Sequence, residues 1–313
     1  MMICCFIGHV FVWRQEGKIH LLRLRRRRDI KSGSCQLHDP NTMPAIPSSF
    51  IDALELADPS WRPVLRSGLE AVAQADPTYL PDLAQDRYLP TGGRIFAAFA
   101  QPLDAVRYVL IGEGPYPRVE SATGFCFMDG AVGRLWSESG LSREVNRATS
   151  LRNFMKMLLV ADGKLSVDNT GGKALAHIAA EAGASHSPYI EKLADLQHNM
   201  LVQGFLLLNA ALTFRPHVPP IKESKAWQPL METVLGALAA RSAEKKSMPP
   251  ILILWGKMAE KLTAMPAAAA FPFVLSEHPY NLSFIRNGDM QNLFSPLRLL
   301  YKPKQGDGTR QPS

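Results

Sequence analysis

Four short apolar runs stand at wide intervals along the chain: "RYVLI" (107–111), "GFLLLN" (204–209), "ILILW" (251–255) and "FPFVLSE" (271–277). Each is nearly continuous in its apolarity rather than alternating, the pattern of a strand covered on both faces. Helical spacing of apolar positions between the runs predicts helices over 150–159, 172–183, 189–199, 227–240 and 258–264. Strands that alternate with helices make a parallel sheet, so the pattern predicts an α/β three-layer sandwich around four central parallel strands. From residue 46 to about residue 103 the pattern is helical, with prolines as punctuation. The expected domain spans 43–302. Residues 303–313, in the polar stretch "KPKQGDGTRQPS", are expected to be disordered.

Every apolar run ends in a polar or conformationally special residue. These are Gly112-Glu113, Asn209, Trp255-Gly256 and Glu277-His278. The carboxyl ends of parallel strands share one edge of the sheet, where α/β folds keep their ligands, so these residues are expected to converge. The loop after the first run, "GEGPYPRVESATGFCF" (112–127), carries glycines, prolines, a tyrosine and phenylalanines, the makings of a pocket for a flat base. Glu113 is the acidic group nearest that strand tip.

Charge changes the picture only at one end. The chain of 313 residues has 35 Lys/Arg against 28 Asp/Glu, a formal net charge of +7. Residues 1–42 hold eight Lys/Arg and three Asp/Glu, which leaves 27 against 25 in the remainder. A nearly neutral body argues against a broad non-specific nucleic-acid surface, though not against a small basic groove. The leader's apolar run of about a dozen residues is too short to span a bilayer. Its basic cluster, 23–28, follows that run, the reverse of a secretory signal. The leader is read as a disordered tail or as translation from upstream of Met43; the alternative is a basic arm that touches nucleic acid. Cys4, Cys5 and Cys35 also lie there, leaving Cys126 alone in the body. One thiol builds neither a disulfide framework nor a cysteine-rich metal site, so a reducing cytoplasm is expected.

Five blocks in order resemble the uracil-DNA glycosylase family, across roughly residues 46–300. "GEGPYPRVESATGFCF" resembles its water-activating motif, which usually opens Gly-Gln-Asp-Pro-Tyr-His and closes on Phe at this spacing. "TSLRNFMKMLL" is similar to the Ser-Leu-x-Asn-x-x-Lys segment that grips a phosphate, "QGFLLLNAALTFRPH" to the uracil-reading strand, and "ILILWGKMAEK" to the Leu-Trp-Gly strand. "SEHPYNLSFIRN" resembles the minor-groove loop His-Pro-Ser-Pro-Leu-Ser. The resemblance implies that Phe127 stacks on a flipped base, Asn209 reads its edge, and Tyr116 crowds out a 5-methyl group, with Gly112 and Gly114 lining the base. It also implies that His278 stabilises charge on the uracil O2, that Leu282 fills the gap in the duplex, and that Ser150 and Ser283 hold phosphates. Tyr280, beside them on the DNA-contacting loop, stands with Asn281 where the family has Ser-Pro, making that wedge bulkier.

One departure bears on the chemistry. The family's aspartate, which positions the attacking water, falls at Gly114, and Glu113 takes the preceding glutamine position. Related branches that read "GEGPG" or "GEAPG" also lack that aspartate, but they replace the tyrosine that is kept here as Tyr116. Two function classes follow. One is a cofactor-free, metal-free base-excision glycosylase, monomeric and acting on uracil or a related damaged base in DNA, with Glu113 and His278 catalytic. The other is a glycosylase-fold binding protein or damage sensor that has lost hydrolysis. A third, an unrelated α/β nucleotide-binding protein, lacks its glycine-rich phosphate loop.

Overall fold

The computed structural model describes residues 46–303 and, within the first 45, the backbone of three strands. The tail expected to be disordered lies outside the described residues, apart from residue 303. Contacts divide the chain into two units, 1–43 and 44–313. In the first, β1 (Cys4–Ile7), β2 (Val10–Gln15) and β3 (Lys18–Arg23) form an antiparallel meander. The sequence pattern leads to no ordered element there. The runs "VFVWRQ" and "KIHLLR", rich in β-branched and aromatic residues and spaced two residues apart, favour strand pairing locally.

The second unit opens with α1 (Ser48–Ala53), α2 (Arg62–Ala75) and α3 (Tyr79–Gln85), then β4 (Tyr108–Gly112). A small hairpin, β5 (Trp136–Ser137) and β6 (Gly140–Leu141), leads to α4 (Arg143–Arg147), α5 (Thr149–Ala161), α6 (Gly172–Ala182) and α7 (Leu193–Val202). The chain continues through β7 (Phe205–Asn209), α8 (Pro220–Glu244), β8 (Ile251–Trp255), α9 (Lys257–Thr263), β9 (Phe273–Ser276) and α10 (Gly288–Phe294). The four long-range strands form one parallel sheet in the order β7-β4-β8-β9.

Strand residues alternate between two cores, as the pleat requires. Val109, Ile111, Leu206, Leu208, Leu252 and Leu254 pack with α2, α3 and α8, while Leu110, Phe205, Leu207, Ile253 and Trp255 pack with α5, α6, α7 and α10. Two helical layers therefore sandwich the sheet, and the α/β three-layer architecture expected from the sequence is what the chain forms.

Three expectations differ in detail. The run 271–277 is not covered on both faces: β9 is the edge strand, and Phe273 and Leu275 are 47% and 42% exposed on the side the helices leave open. Helix α7 starts at Leu193 rather than at 189, because Tyr189 is held extended by bridging Tyr301. Helix α8 starts seven residues before the expected 227, at Pro220, where a proline's missing N–H costs nothing and its fixed φ suits the first turn.

Candidate active site

Register brings the strand tips together. Gly112 of β4 pairs with Asn209 of β7, and Trp255 of β8 pairs with Ser276 of β9, so Gly256 and Glu277-His278 leave the sheet side by side. The tips line a cleft of about 660 Å³. Its walls include Gly112, Glu113, Gly114, Tyr116, Phe127, Ser150, Asn209, His278 and Tyr280. Of the residues singled out from the sequence, Leu282 and Ser283 alone are not part of this wall. Leu282 stands out from the adjoining turn, 67% exposed.

Two glycines are needed for this approach. A Cβ on Gly112 would meet the Asn209 Oδ1 at 2.9 Å and the Cys126 Cβ at 3.0 Å. Gly256 has φ +56°, and a Cβ there would sit 3.0 Å from the His278 Cβ. Side chains at either position would push the site apart. Gly114 is different: its Cβ would make ordinary contact with Ala211 at 3.5 Å.

Phe127 is held in a left-handed backbone conformation, φ 65°, which a bulky residue rarely adopts. Its ring is gripped edge-on by Phe154 and Trp255, each with centroids 5.2 Å away. Packing thus overrides a local cost of about 1–2 kcal/mol, and the ring's position in the cleft is set by the core behind it. The Tyr116 hydroxyl donates to the Phe127 carbonyl at 3.5 Å, and burial, with Asp129 and Cys126 nearby, pushes its phenol above the usual range. Burial likewise pushes the Cys126 thiol up, making it an inert wall.

Asn209 is 3% exposed, and among the described residues no hydrogen bond occupies its side-chain amide. Lining the open cleft, the amide has a donor and an acceptor to offer the edge of a ligand. The segment beyond it is well anchored. Ala210 and Ala211 donate to the carbonyls of Gly112 and Glu113 at 2.8 and 3.1 Å. Further along, buried Arg215 and Thr213 both bond the buried Glu223 of α8, which also accepts from Tyr79.

His278 Nδ1 accepts the backbone N–H of Tyr280 at 3.1 Å. The neutral ring therefore carries its proton on Nε2 and presents it as a donor. Desolvation by the cleft walls lowers its pKa below the ordinary 6.5, with Glu113 opposing. The imidazole is accordingly neutral at pH 7. Glu113 itself is exposed at the cleft mouth.

Three further residues shape the site; Asn153 and Lys257 were given no role from the sequence, while Glu277 was expected only as a strand-tip residue. Asn153, fully buried in α5, donates from Nδ2 to the carbonyls of Pro279, Tyr280 and Asn281 at 2.7, 3.3 and 3.4 Å. It pins the loop after His278 to α5, the helix that carries Ser150 in its first turn. Its signal was an amide among Leu151, Phe154, Met155 and Leu158 on the buried stripe of α5. Lys257, exposed at the start of α9, supplies positive charge to the cleft. Glu277 also lines the wall. Burial works against its charged form, but hydrogen bonds from Ser283, its own backbone and Asn287 hold its carboxyl below the usual range. Ser283, expected to hold a phosphate, thus has its hydroxyl turned to Glu277. Among the described residues no group of three or more His, Cys, Asp or Glu is arranged to hold a metal ion, and no helix is long and apolar enough to cross a membrane.

Comparison with known proteins adds relatives of this shape. No protein-family model matches the chain. Uracil-DNA glycosylases of Mycobacterium bovis and Mycobacterium tuberculosis are each 30% identical over 233 residues, covering 74% of this chain and 85% of theirs. The crystal structure of the wild-type UNG of Nitratifractor salsuginis matches with a TM-score of 0.73 and 37% identity, over 82% of this chain and 98% of its own.

Proposed function

The chain belongs to the uracil-DNA glycosylase family, and from that premise we propose that it hydrolyses the N-glycosidic bond of deoxyuridine in DNA, in base-excision repair. The target nucleotide leaves the stack and enters the cleft, since its glycosidic bond is out of reach inside a duplex. The base lies against the Phe127 ring. Asn209 offers an amide N–H and a carbonyl to its edge, and Tyr116 blocks space beside the pyrimidine 5-position.

As the C1′–N1 bond breaks, its electron pair passes to the base, which departs as an anion with charge on O2. His278, neutral and with Nε2–H free, donates to that oxygen without having to be deprotonated first. A preorganised donor placed where charge develops supplies a large share of the rate enhancement in many enzymes. Water adds to C1′, and Glu113 orients it and takes its proton. Ser150 at the start of α5, together with the loop bearing Tyr280, Leu282 and Ser283, meets the DNA backbone and the vacated stack. In this reading the protein works as a monomer in a reducing cytoplasm, for which the free, buried Cys126 thiol is the support.

The observation that carries the reading is the free amide of buried Asn209, facing the same cleft as Phe127 and the Nε2–H of His278. The test is incubation of the full chain with a uracil-containing oligonucleotide, followed by alkali to cut at abasic sites. Cleavage at the uracil position is expected, and none at thymine. Tight binding with no abasic site would replace the enzyme with a binding protein.

A further inference from the structure

Asn209 stands at the tip of an edge strand. In the order β7-β4-β8-β9 only β4 pairs with β7, in a register that ends at Gly112 and Asn209. No strand of the sheet lies along the other side of β7. The chain that leaves Asn209 is nevertheless buried through Ala210, Ala211, Leu212 and Thr213, and it ends in a knot of polar groups. Glu223, in the first turn of α8, is 2% exposed. One of its carboxylate oxygens accepts from Arg215 Nε, the other from the Tyr79 hydroxyl and Thr213 Oγ1. Trp227 Nε1 donates to Thr213 Oγ1 at 2.9 Å. Arg215 Nη1 reaches Asp86 Oδ2 at 3.3 Å, and its guanidinium carbon lies 5.5 Å from the centre of the Tyr79 ring. Beside the knot, Leu89 and Phe214 exchange backbone hydrogen bonds at 3.0 and 2.9 Å. None of Tyr79, Thr213, Arg215 and Glu223 lines the cleft.

A buried ion pair is a poor source of stability, because desolvating both charges offsets their attraction. What it can do is specify one arrangement. A carboxylate accepts from all three donors here and offers no N–H of its own, whereas a glutamine would turn a donor onto one of them. Burial and the charge of Glu223 push the Tyr79 phenol above its usual range, so the tyrosine stays a donor. Residues 210–212 therefore run between two fixed ends, strand pairing at Asn209 and the knot at Thr213 and Arg215. The Asn209 amide meets the edge of a flat base only if its backbone neither twists nor slides. A misplacement of about 1 Å caused far from the chemistry can cost on the order of 10²-fold in rate. We propose that Glu223, through Thr213 and Arg215, is a positioning residue for Asn209. It fixes the depth at which the amide stands in the cleft, and with it the recognition of uracil. The proposal rests on the glycosylase reading above and deepens the part of it that concerns Asn209.

The experiment compares Glu223→Gln, Tyr79→Phe, Asn209→Ala and the double variant Glu223→Gln/Asn209→Ala with the wild-type full chain. Each is measured at a temperature at which circular dichroism shows it folded. The first readout is calorimetric affinity for free uracil, which needs no bond cleavage. The second is single-turnover release from a uracil-containing oligonucleotide. The third is affinity for the same oligonucleotide with an abasic site, which lacks the base that Asn209 reads. Glu223→Gln is expected to lower uracil affinity and release by ~10–10²-fold, with abasic DNA bound as tightly as by the wild type. Tyr79→Phe keeps the ring and removes one donor of three, so it shows the same changes at smaller size. Once Asn209 is alanine, Glu223→Gln lowers release no further, because effects that pass through one group do not add. An equal loss in both backgrounds, weakened abasic-site binding, or a Glu223→Gln variant with native uracil affinity overturns the proposal. Should Glu223→Gln fail to fold, native uracil affinity in Tyr79→Phe overturns it instead, as does a wild type that binds no free uracil. A wild type that binds uracil in a Glu223-dependent way but releases none sinks the glycosylase reading and leaves the positioning role standing.

Discussion

In the proposed reaction, catalysis turns on Gly114 and Glu113. At Gly114, where the family's motif has an aspartate, the backbone is not left-handed and a Cβ would touch Ala211 at an ordinary 3.5 Å. An aspartate could start from there without strain. Glu113 starts one residue earlier, points from a different direction and has an extra methylene. Its carbonyl is tied to the Ala211 N–H, which steadies its origin, while its side chain is exposed at the cleft mouth. In the proposed reaction a carboxylate so placed has two tasks, to orient water and to steady positive charge on the departing sugar, and that attraction grows as bound DNA excludes solvent. Slow but measurable uracil release is expected of the wild type. Glu113→Gln should lower the single-turnover rate by ~10²–10⁴-fold with DNA binding kept, and Gly114→Asp should raise it. Wild type without release beside a Gly114→Asp variant with clear release would remove Glu113 from the mechanism.

At the scale of elements, the site depends on how α5 meets the loop after β9. One buried amide, Asn153, makes the connection, and its orientation is set from both ends. Its Oδ1 accepts from Arg152 Nε at 3.4 Å while Nδ2 reaches the three loop carbonyls. The same loop supplies the Tyr280 N–H that fixes the His278 tautomer. Loss of the pin therefore reaches the chemistry as well as the fold. Asn153→Ala should lower unfolding stability by about 1–3 kcal/mol, the usual cost of stranding buried hydrogen-bonding groups. It should also lower kcat, with less change in KM. Denaturant unfolding and steady-state kinetics on one preparation check both. A stability loss with kcat intact would mean that His278 keeps its proton in place unaided.

For the whole molecule, the two contact units divide at residue 43, and among the described residues both hydrophobic cores are built beyond that point. Deleting 1–42 should leave melting temperature and uracil release unchanged; a marked fall in either would give the leader a role. The parallel sheet, its flanking helices and the strand-tip residues Gly112, Asn209 and His278 were legible in the chain itself. Burial on both faces erases alternation, and strand tips of a parallel sheet must share an edge. The edge position of β9 was not legible, because the apolar run 271–277 reads the same whether a helix covers it or not. Nor was the role of Asn153, whose partners lie some 126 residues away, or the diversion of Ser283 to Glu277. Local pattern determined which residues are apolar, polar or conformationally special, since those properties belong to each side chain. The proton position on His278, the left-handed backbone of Phe127 and the free amide of Asn209 were decided only in the tertiary structure, because each depends on partners from distant segments.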